Sequence, residues 1–158
     1  MTKEEKLSIV FNEMSDRHGE LNFITERAFI TENSGIEVHC IDFIGKNPDA
    51  NVTKISKVFR MTRGAISKIT KRLIKEAAIE AYQKPGNKKE VYYKLTELGK
   101  AIYLEHESLH RRRIERDSLL FAQLDEAEKE ALIIIFTKIS KYLESEVKKL
   151  EGEGHDER

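Results

Sequence analysis

The chain has 158 residues, of which 39% are apolar and 35% charged, with 28 Lys and Arg balanced by 28 Asp and Glu. That length makes one ordinary domain, or one domain with an appended dimerisation element, and the many charges with only 2 Pro and 8 Gly argue against a β-sandwich or a disordered chain. No apolar run approaches the ~20 residues that span a bilayer, the start MTKEEKLSIV lacks the apolar core of a secretory leader, and the single cysteine, Cys40, excludes an internal disulfide framework. A cytoplasmic protein with no membrane partner is expected.

Leu7, Val10, Phe11 and Met14 recur at helical spacing, and a second, short helix is expected from about Ile36 to Ile44. GKNPDAN (45–51) reads as a turn. Thr53 can cap a short helix, TKISKVFR, and Thr62 the next, RGAISKITKRLIKE. In AIEAYQKPGNKKEVYYKLT two β-branched and aromatic runs flank a Pro-Gly-Asn turn, which signals a β-hairpin. From Glu97 the pattern is helical again to about Phe121. DEAE (125–128) then resembles a capping box with Asp at the cap, and a last helix carries Leu132, Ile135, Phe136, Ile139, Tyr142 or Leu143, and Val147. The tail EGEGHDER (151–158) is expected to fray. Two closely spaced helices followed by a hairpin with a basic tip describe a winged helix-turn-helix: mainly α with a small β-hairpin wing, an α+β fold.

The zero net charge hides an asymmetry. Between Thr53 and Lys100 there are 13 Lys and Arg against 4 Asp and Glu, and the remainder is correspondingly acidic. A basic stretch of this kind is an electrostatic footprint for an anionic polymer. In the helix from Arg63 to Glu76, Ala65, Ile66, Ile69, Leu73 and Ile74 fall in one stripe suited to packing, while Gly64, Ser67, Lys68, Lys71, Arg72 and Lys75 lie on the other side. Thr62, Arg63 and Ser67, near the N-terminal end, are the candidates for base contacts in a major groove. Lys68, Lys71 and Arg72 are candidates for phosphate, Gly64 allows close backbone approach, and Thr53 at the head of the preceding helix joins the set. At the hairpin tip Lys84, Asn87, Lys88 and Lys89 could reach a neighbouring minor groove or phosphates. The bland readings are a solvated basic helix face and an ordinary lysine-rich turn.

The run VTKISKVFRMTRGAISKITKRLIKEAAIEAYQ, followed by KKEVYYKLTELGKAI with its Leu95-Thr96-x-x-Gly99 step, resembles the winged-helix core of MarR-type transcriptional regulators. The resemblance implies residues 1–35 as an N-terminal dimerisation helix and linker, 36–100 as the DNA-binding core and 101–150 as C-terminal dimerisation helices, with 151–158 a disordered tail. It also implies a homodimer on a pseudo-palindromic double-stranded operator, usually a repressor relieved by a ligand. The apolar stripes at 7–14 and 132–147 support a dimer independently, because they have no obvious partner in one small winged domain. Two departures stand out. Where the family often has Asp-x-Arg in the wing, this chain has Asn87 and Lys89, and lysine keeps the charge without the planar fork. The helix ending KEAAIEAY has no glycine at its C-terminus, where Ala77 or Ala78 in a left-handed conformation would cost roughly 1 kcal/mol.

HESLH (106–110) fits the H-E-x-x-H pattern of zinc peptidases, in which Glu107 would act as general base. A small zinc-dependent hydrolase is therefore the alternative from another class. The following RRRIERD does not supply the extended pattern with a third histidine, and four arginines within six residues suit a solvated or interfacial segment. His106 and His110 stand at i and i+4, so both imidazoles leave one helical face and could share a cation. With His39 the arrangement resembles the zinc-responsive uptake repressors of the MarR family. That resemblance implies a zinc site of His39, His106, His110 and a glutamate from the end of the first helix, either Glu20 or Glu26, with His18 a further candidate. Those repressors have a second site whose cysteine position holds Arg27 here. Solvent-facing or acid-paired histidines are the ordinary alternative. No cofactor is required, and the open alternatives for an effector are an unknown small organic molecule or none at all, and a metal ion such as zinc. The neighbours Val38, Ile41 and Phe43 mark Cys40 as a buried, inert thiol.

Overall fold

The computed structural model describes residues 1–32 and 35–153. They form α1 (Lys3–Glu32), α2 (Gly35–Lys46), α3 (Val52–Phe59), α4 (Arg63–Lys75), β1 (Ile79–Lys84), β2 (Asn87–Leu95), α5 (Glu97–Phe121) and α6 (Glu126–Glu153). The fold is mostly helical with a two-stranded antiparallel wing, as expected. The chain falls into two compact units, Met1–Arg113 and Ile114–Arg158. Among the described residues no helix is long and apolar enough to cross a membrane.

The core of the first unit is built from α2, α3, α4 and the hairpin: Cys40, Ile41, Ile44, Ala50, Ile55, Ile66, Leu73, Ala78, Ile79 and Tyr93 are all buried together. α3 and α4 make the helix-turn-helix. Thr62 caps α4 as expected, its Oγ1 accepting the amide of Ala65 at 3.2 Å. The cap of α3 is Asn51 rather than Thr53: Asn51 Oδ1 accepts the amide of Lys54 at 2.8 Å, and Thr53 lies inside the first turn. Asn51 takes the role because Ala50 is already held extended, its carbonyl accepting the Tyr93 amide of β2 at 2.9 Å. On α4 the inward stripe also differs in part. Ile74 is exposed, and Thr70 is fully buried in the core, where its hydroxyl donates to the Ser67 carbonyl of its own helix at 3.2 Å.

The end of α4 is held by several backbone contacts. Ala77 has φ of 58°, the left-handed conformation. The amide of Ala78 donates to Leu73 at 2.9 Å and that of Ala77 to Ile74 at 3.0 Å, which is a Schellman closure made without glycine. Thr96 completes it from the far side of the hairpin. Its hydroxyl donates to the Ala77 carbonyl at 2.6 Å while accepting the Gly99 amide at 3.1 Å, and its own amide donates to the Ala78 carbonyl at 3.1 Å. A Cβ on Gly99 would lie 2.0 Å from that same carbonyl oxygen. The Leu-Thr-x-x-Gly step is thus a clasp that needs a hydroxyl, then a residue with no side chain.

The hairpin pairs Ile79 with Leu95 and Tyr82 with Tyr92, with an irregularity between Tyr82 and Lys84 before the turn at Pro85 and Gly86, whose φ is 84°. In the second unit the capping box at 125–128 forms reciprocally. The Glu128 amide donates to Asp125 at 2.8 Å, and the Asp125 amide donates to the Glu128 carboxylate at 2.9 Å. α6 continues to Glu153, into the segment expected to be a disordered tail, and residues 154–158 lie outside the described residues.

Two substitutions at the α4 terminus should act in opposite directions. Ala77→Gly should stabilise the chain by about 1 kcal/mol, by removing the left-handed cost. Gly99→Ala should destabilise it by about 3 kcal/mol, because the neighbour it meets is backbone. Urea unfolding midpoints measure both.

Candidate nucleic-acid interface and histidine cluster

α4 turns Ile66, Thr70 and Leu73 into the core, which forces Arg63, Gly64, Lys68, Lys71 and Lys75 outward, where all five are exposed. Ser67 is half-buried at the edge of this face, and Thr62 and Thr53 are exposed. Arg72 also points outward, but it is engaged. Its Nε lies 2.9 Å from Glu76 and 3.1 Å from Glu37, a residue of α2 that is itself buried. Glu76 first, and Glu37 after it, hold the guanidinium above its already high range. Arg72 thereby ties α4 to α2.

The wing divides its cations similarly. Lys88 and Lys89 are exposed beside the turn. Asn87 is used inward: its Oδ1 accepts the amides of Lys89 at 3.2 Å and Glu90 at 3.3 Å and so shapes the turn. Lys84 is held by Asp49, Nζ to Oδ2 2.5 Å, and its Nζ stands 4.9 Å from the Tyr92 ring centre. Asp49 and Glu37 could not be found from composition, because their partners are 33 or more positions away in sequence. The only local hint is Asp49's place in the turn GKNPDAN.

A second constellation lies where α2 meets α5. His39 and His106 have ring centres 5.5 Å apart, and His106 and His110 4.4 Å apart. Thus the three histidines expected to act together are neighbours around His106, which is buried, while His39 is exposed and His110 half-buried. Burial foremost, and next the neighbouring His110, hold the His106 imidazole below the ordinary histidine range. Its Nδ1 faces Asp42 Oδ1 at 3.6 Å, and Asp42 was absent from the expected set. Asp42, His106 and Glu107 are the group, among the described residues, whose ligand atoms all lie within 4.8 Å of one another. Lys46 reaches both of these carboxylates, at 2.8 Å to Asp42 and 2.8 Å to Glu107. Glu20 and His18 are exposed on α1. Glu26 is gripped by Arg113, whose guanidinium nitrogens lie 2.5 and 3.0 Å from Oε1 and 2.7 Å from Oε2. The signal for Asp42 was available in the sequence, since it stands three residues after His39 on one helix.

A helix-turn-helix with an outward cationic face and a lysine-tipped wing defines the winged helix-turn-helix class. Residues 36–91 match the family model described as MarR family. The HTH-type transcriptional regulator PchR of Bacillus subtilis (strain 168) is 33% identical over 109 residues, which are 69% of this chain and 64% of PchR. The chain therefore spans slightly less than two thirds of that relative. Among solved structures, FabT of Streptococcus pneumoniae in complex with DNA superposes with a TM-score of 0.69 at 24% identity, covering 90% of this chain and 95% of that one. ZitR of Lactococcus lactis, described as a zinc-responsive MarR family member, superposes at 0.61 and 14% identity, covering 70% of this chain and 76% of that one. At these identities the structural likeness establishes the fold. The match to the MarR family model thus runs from α2 into β2. The chain's sequence relatives are named as HTH-type transcriptional regulators.

Cys40 is fully buried, and burial, with Glu37 adding to it, pushes its thiol up to about 11. The folded chain should therefore give no thiol titre with an aromatic disulfide reagent at neutral pH, and one thiol per chain once urea unfolds it. A full titre from folded protein would show that the α2 core opens.

Proposed function

We propose that this protein is a cytoplasmic, homodimeric, sequence-specific DNA-binding transcriptional regulator of the MarR type, acting as a repressor under the control of a bound effector. The observation that carries the DNA reading is the outward face of α4, where Arg63, Lys68, Lys71 and Lys75 stand exposed on a helix fixed by its own core. The N-terminal end of that helix, with Thr62, Arg63, Gly64 and Ser67, would meet base edges. Lys68, Lys71 and the exposed wing lysines Lys88 and Lys89 would meet phosphate. FabT's complex with DNA and PchR's designation as a regulator support this reading.

The dimer rests on apolar surface. Leu7, Val10, Met14, Leu21 and Ile24 are exposed on α1, and Ile133, Ile135, Phe136, Leu143 and Val147 on α6. Two long helices this apolar on the outside are rare in a monomer and ordinary in an obligate dimer.

The effector we favour is a divalent metal ion, zinc first. His39, His106 and His110 suit it because their rings are neighbours, and burial shifts the central imidazole toward the neutral form that ligates metal. The carboxylate placed beside them is Asp42. Asp42 is accordingly a better candidate than Glu20 to complete the set, and Glu26 would first have to leave Arg113. A metal there would supply a fixed link between α2 and α5. Control would follow as a shift between DNA-competent and incompetent states. ZitR's description as zinc-responsive supports the choice.

An operator selected from random duplex DNA by the protein, labelled for fluorescence anisotropy, tests both parts. At fixed salt, specific binding should be at least about tenfold tighter with zinc than with a chelator, a coupling of about 1.4 kcal/mol. His106→Ala should abolish the difference. Indifference to zinc would end the metal reading, and failure to select any sequence would end the DNA reading. Arg63→Ala should weaken operator binding by about 1–3 kcal/mol and relax base preference at one position per half-site. An equal loss on every sequence would make Arg63 a phosphate contact instead.

A further inference from the structure

We propose that Asp49 and Lys84 form a strut that sets the angle of the wing, so that Lys84 positions the DNA-contacting lysines at the tip and does not contact DNA itself. The inference rests on the DNA-binding reading above. Asp49 sits in the turn between α2 and α3 with φ of 64°, a conformation that Asp tolerates better than most residues. The next residue, Ala50, is bridged to Tyr93 of β2. This turn is therefore attached to the hairpin and leads directly into the helix-turn-helix.

From there the Asp49 carboxylate reaches β1 at two points. Oδ1 accepts the Tyr82 hydroxyl at 3.0 Å, and Oδ2 pairs with Lys84 Nζ at 2.5 Å. Tyr82 and Lys84 stand two positions apart, and the irregularity of the ladder between them aims Lys84 back at the turn. The Lys84 ammonium is then closed in by the Tyr92 ring, whose hydroxyl donates to Glu90 at 2.5 Å. One carboxylate thus grips both ends of the last turn-proximal stretch of β1. A two-stranded hairpin has little rigidity of its own, and this grip fixes its pitch relative to α3. Lys88 and Lys89 lie beyond the strut and remain exposed at the tip.

The test turns on a sign. If Lys84 were a phosphate contact, Asp49→Asn would release it and tighten DNA binding. If it is a strut, the same substitution weakens binding. The assay is anisotropy on an operator selected from random duplex DNA, with hydroxyl-radical footprinting alongside. Asp49→Asn and Lys84→Met should each weaken binding by about tenfold, and the double variant should be no worse than either, since the two residues act as one. Minor-groove protection at the wing should fade while protection under α4 persists, a split that general loss of stability would not produce. The exchange Asp49→Lys with Lys84→Asp should recover part of the affinity.

Tighter binding by Asp49→Asn overturns the proposal. So does a salt slope lowered by about one in Lys84→Met with an unchanged footprint. Failure of the unaltered chain to select any sequence would overturn the DNA reading and the strut's role with it. That result is seen before any variant is made, so the two failures are told apart.

Discussion

The hydroxyl of Thr96 and the bare backbone of Gly99 meet the chain where α4 ends, and the outward setting of the cations on α4 depends on that meeting. Ala77 takes the left-handed turn that glycine would take more cheaply. The carbonyls of Ala77 and Ala78 would otherwise end in a helix terminus without partners. Thr96 satisfies both from the position just before α5, whose N-terminus it caps, so the end of α4, the root of the hairpin and the start of α5 become one object. α4 cannot rotate without breaking contacts that also define the wing. In the proposed DNA-binding role this lock would set which face of α4 is presented, because half a turn of rotation would bury Lys68 and expose Leu73.

With that frame fixed, the basic side chains sort into two kinds. Arg63, Lys68, Lys71, Lys88 and Lys89 are exposed, whereas Arg72 and Lys84 are bound to carboxylates from α2 and from the turn after it. Exposed ion pairs contribute little to stability, so pairing alone would not keep a cation from phosphate. Here the anionic partners decide. Glu37 is largely buried, and stripping Arg72 from it would leave a carboxylate partly desolvated and uncompensated. A basic stretch in the sequence therefore overstates the number of charges available to DNA, and the difference lies in where acidic residues outside the stretch come to rest.

This explains what could be read from the sequence and what could not. Long-period features were legible, because each is decided locally: the helices ending near Phe121 and beginning after Asp125, the Thr62 cap, and the hairpin around Pro85 and Gly86. The Thr53 cap failed because two capping residues stand two apart, and a bridge from Ala50 to a distant strand chose Asn51. Thr70 replaced Ile74 in the core because its hydroxyl could be satisfied within its own helix, which a hydrophobic count does not register. The three histidines were found by spacing and family resemblance. Glu37 and Asp49 were not, since each acquires its role from a partner brought in by the fold, and Asp42 was passed over although it stands three residues after His39.

α2 is the element on which these long-range partners converge. Within its 12 residues Glu37 holds α4 through Arg72, His39 and Asp42 face His106 of α5, and Lys46 grips Glu107. Its core side, through Cys40, Ile41 and Ile44, is buried against the rest of the unit, so the helix moves as one piece or not at all. A cation bound at the histidines would compete with the Lys46 ammonium for Asp42, changing the charge on one face of α2 while Glu37 on another holds α4. A ligand can shift such an equilibrium only by the difference in its affinity for the two states. Proteins commonly use couplings of about 1–3 kcal/mol between sites, comparable to the loss of one or two of the polar contacts just described. Under the proposed reading, the energetic distance from effector to operator would be short, because α2 carries both the histidine cluster and the Glu37 tie to α4.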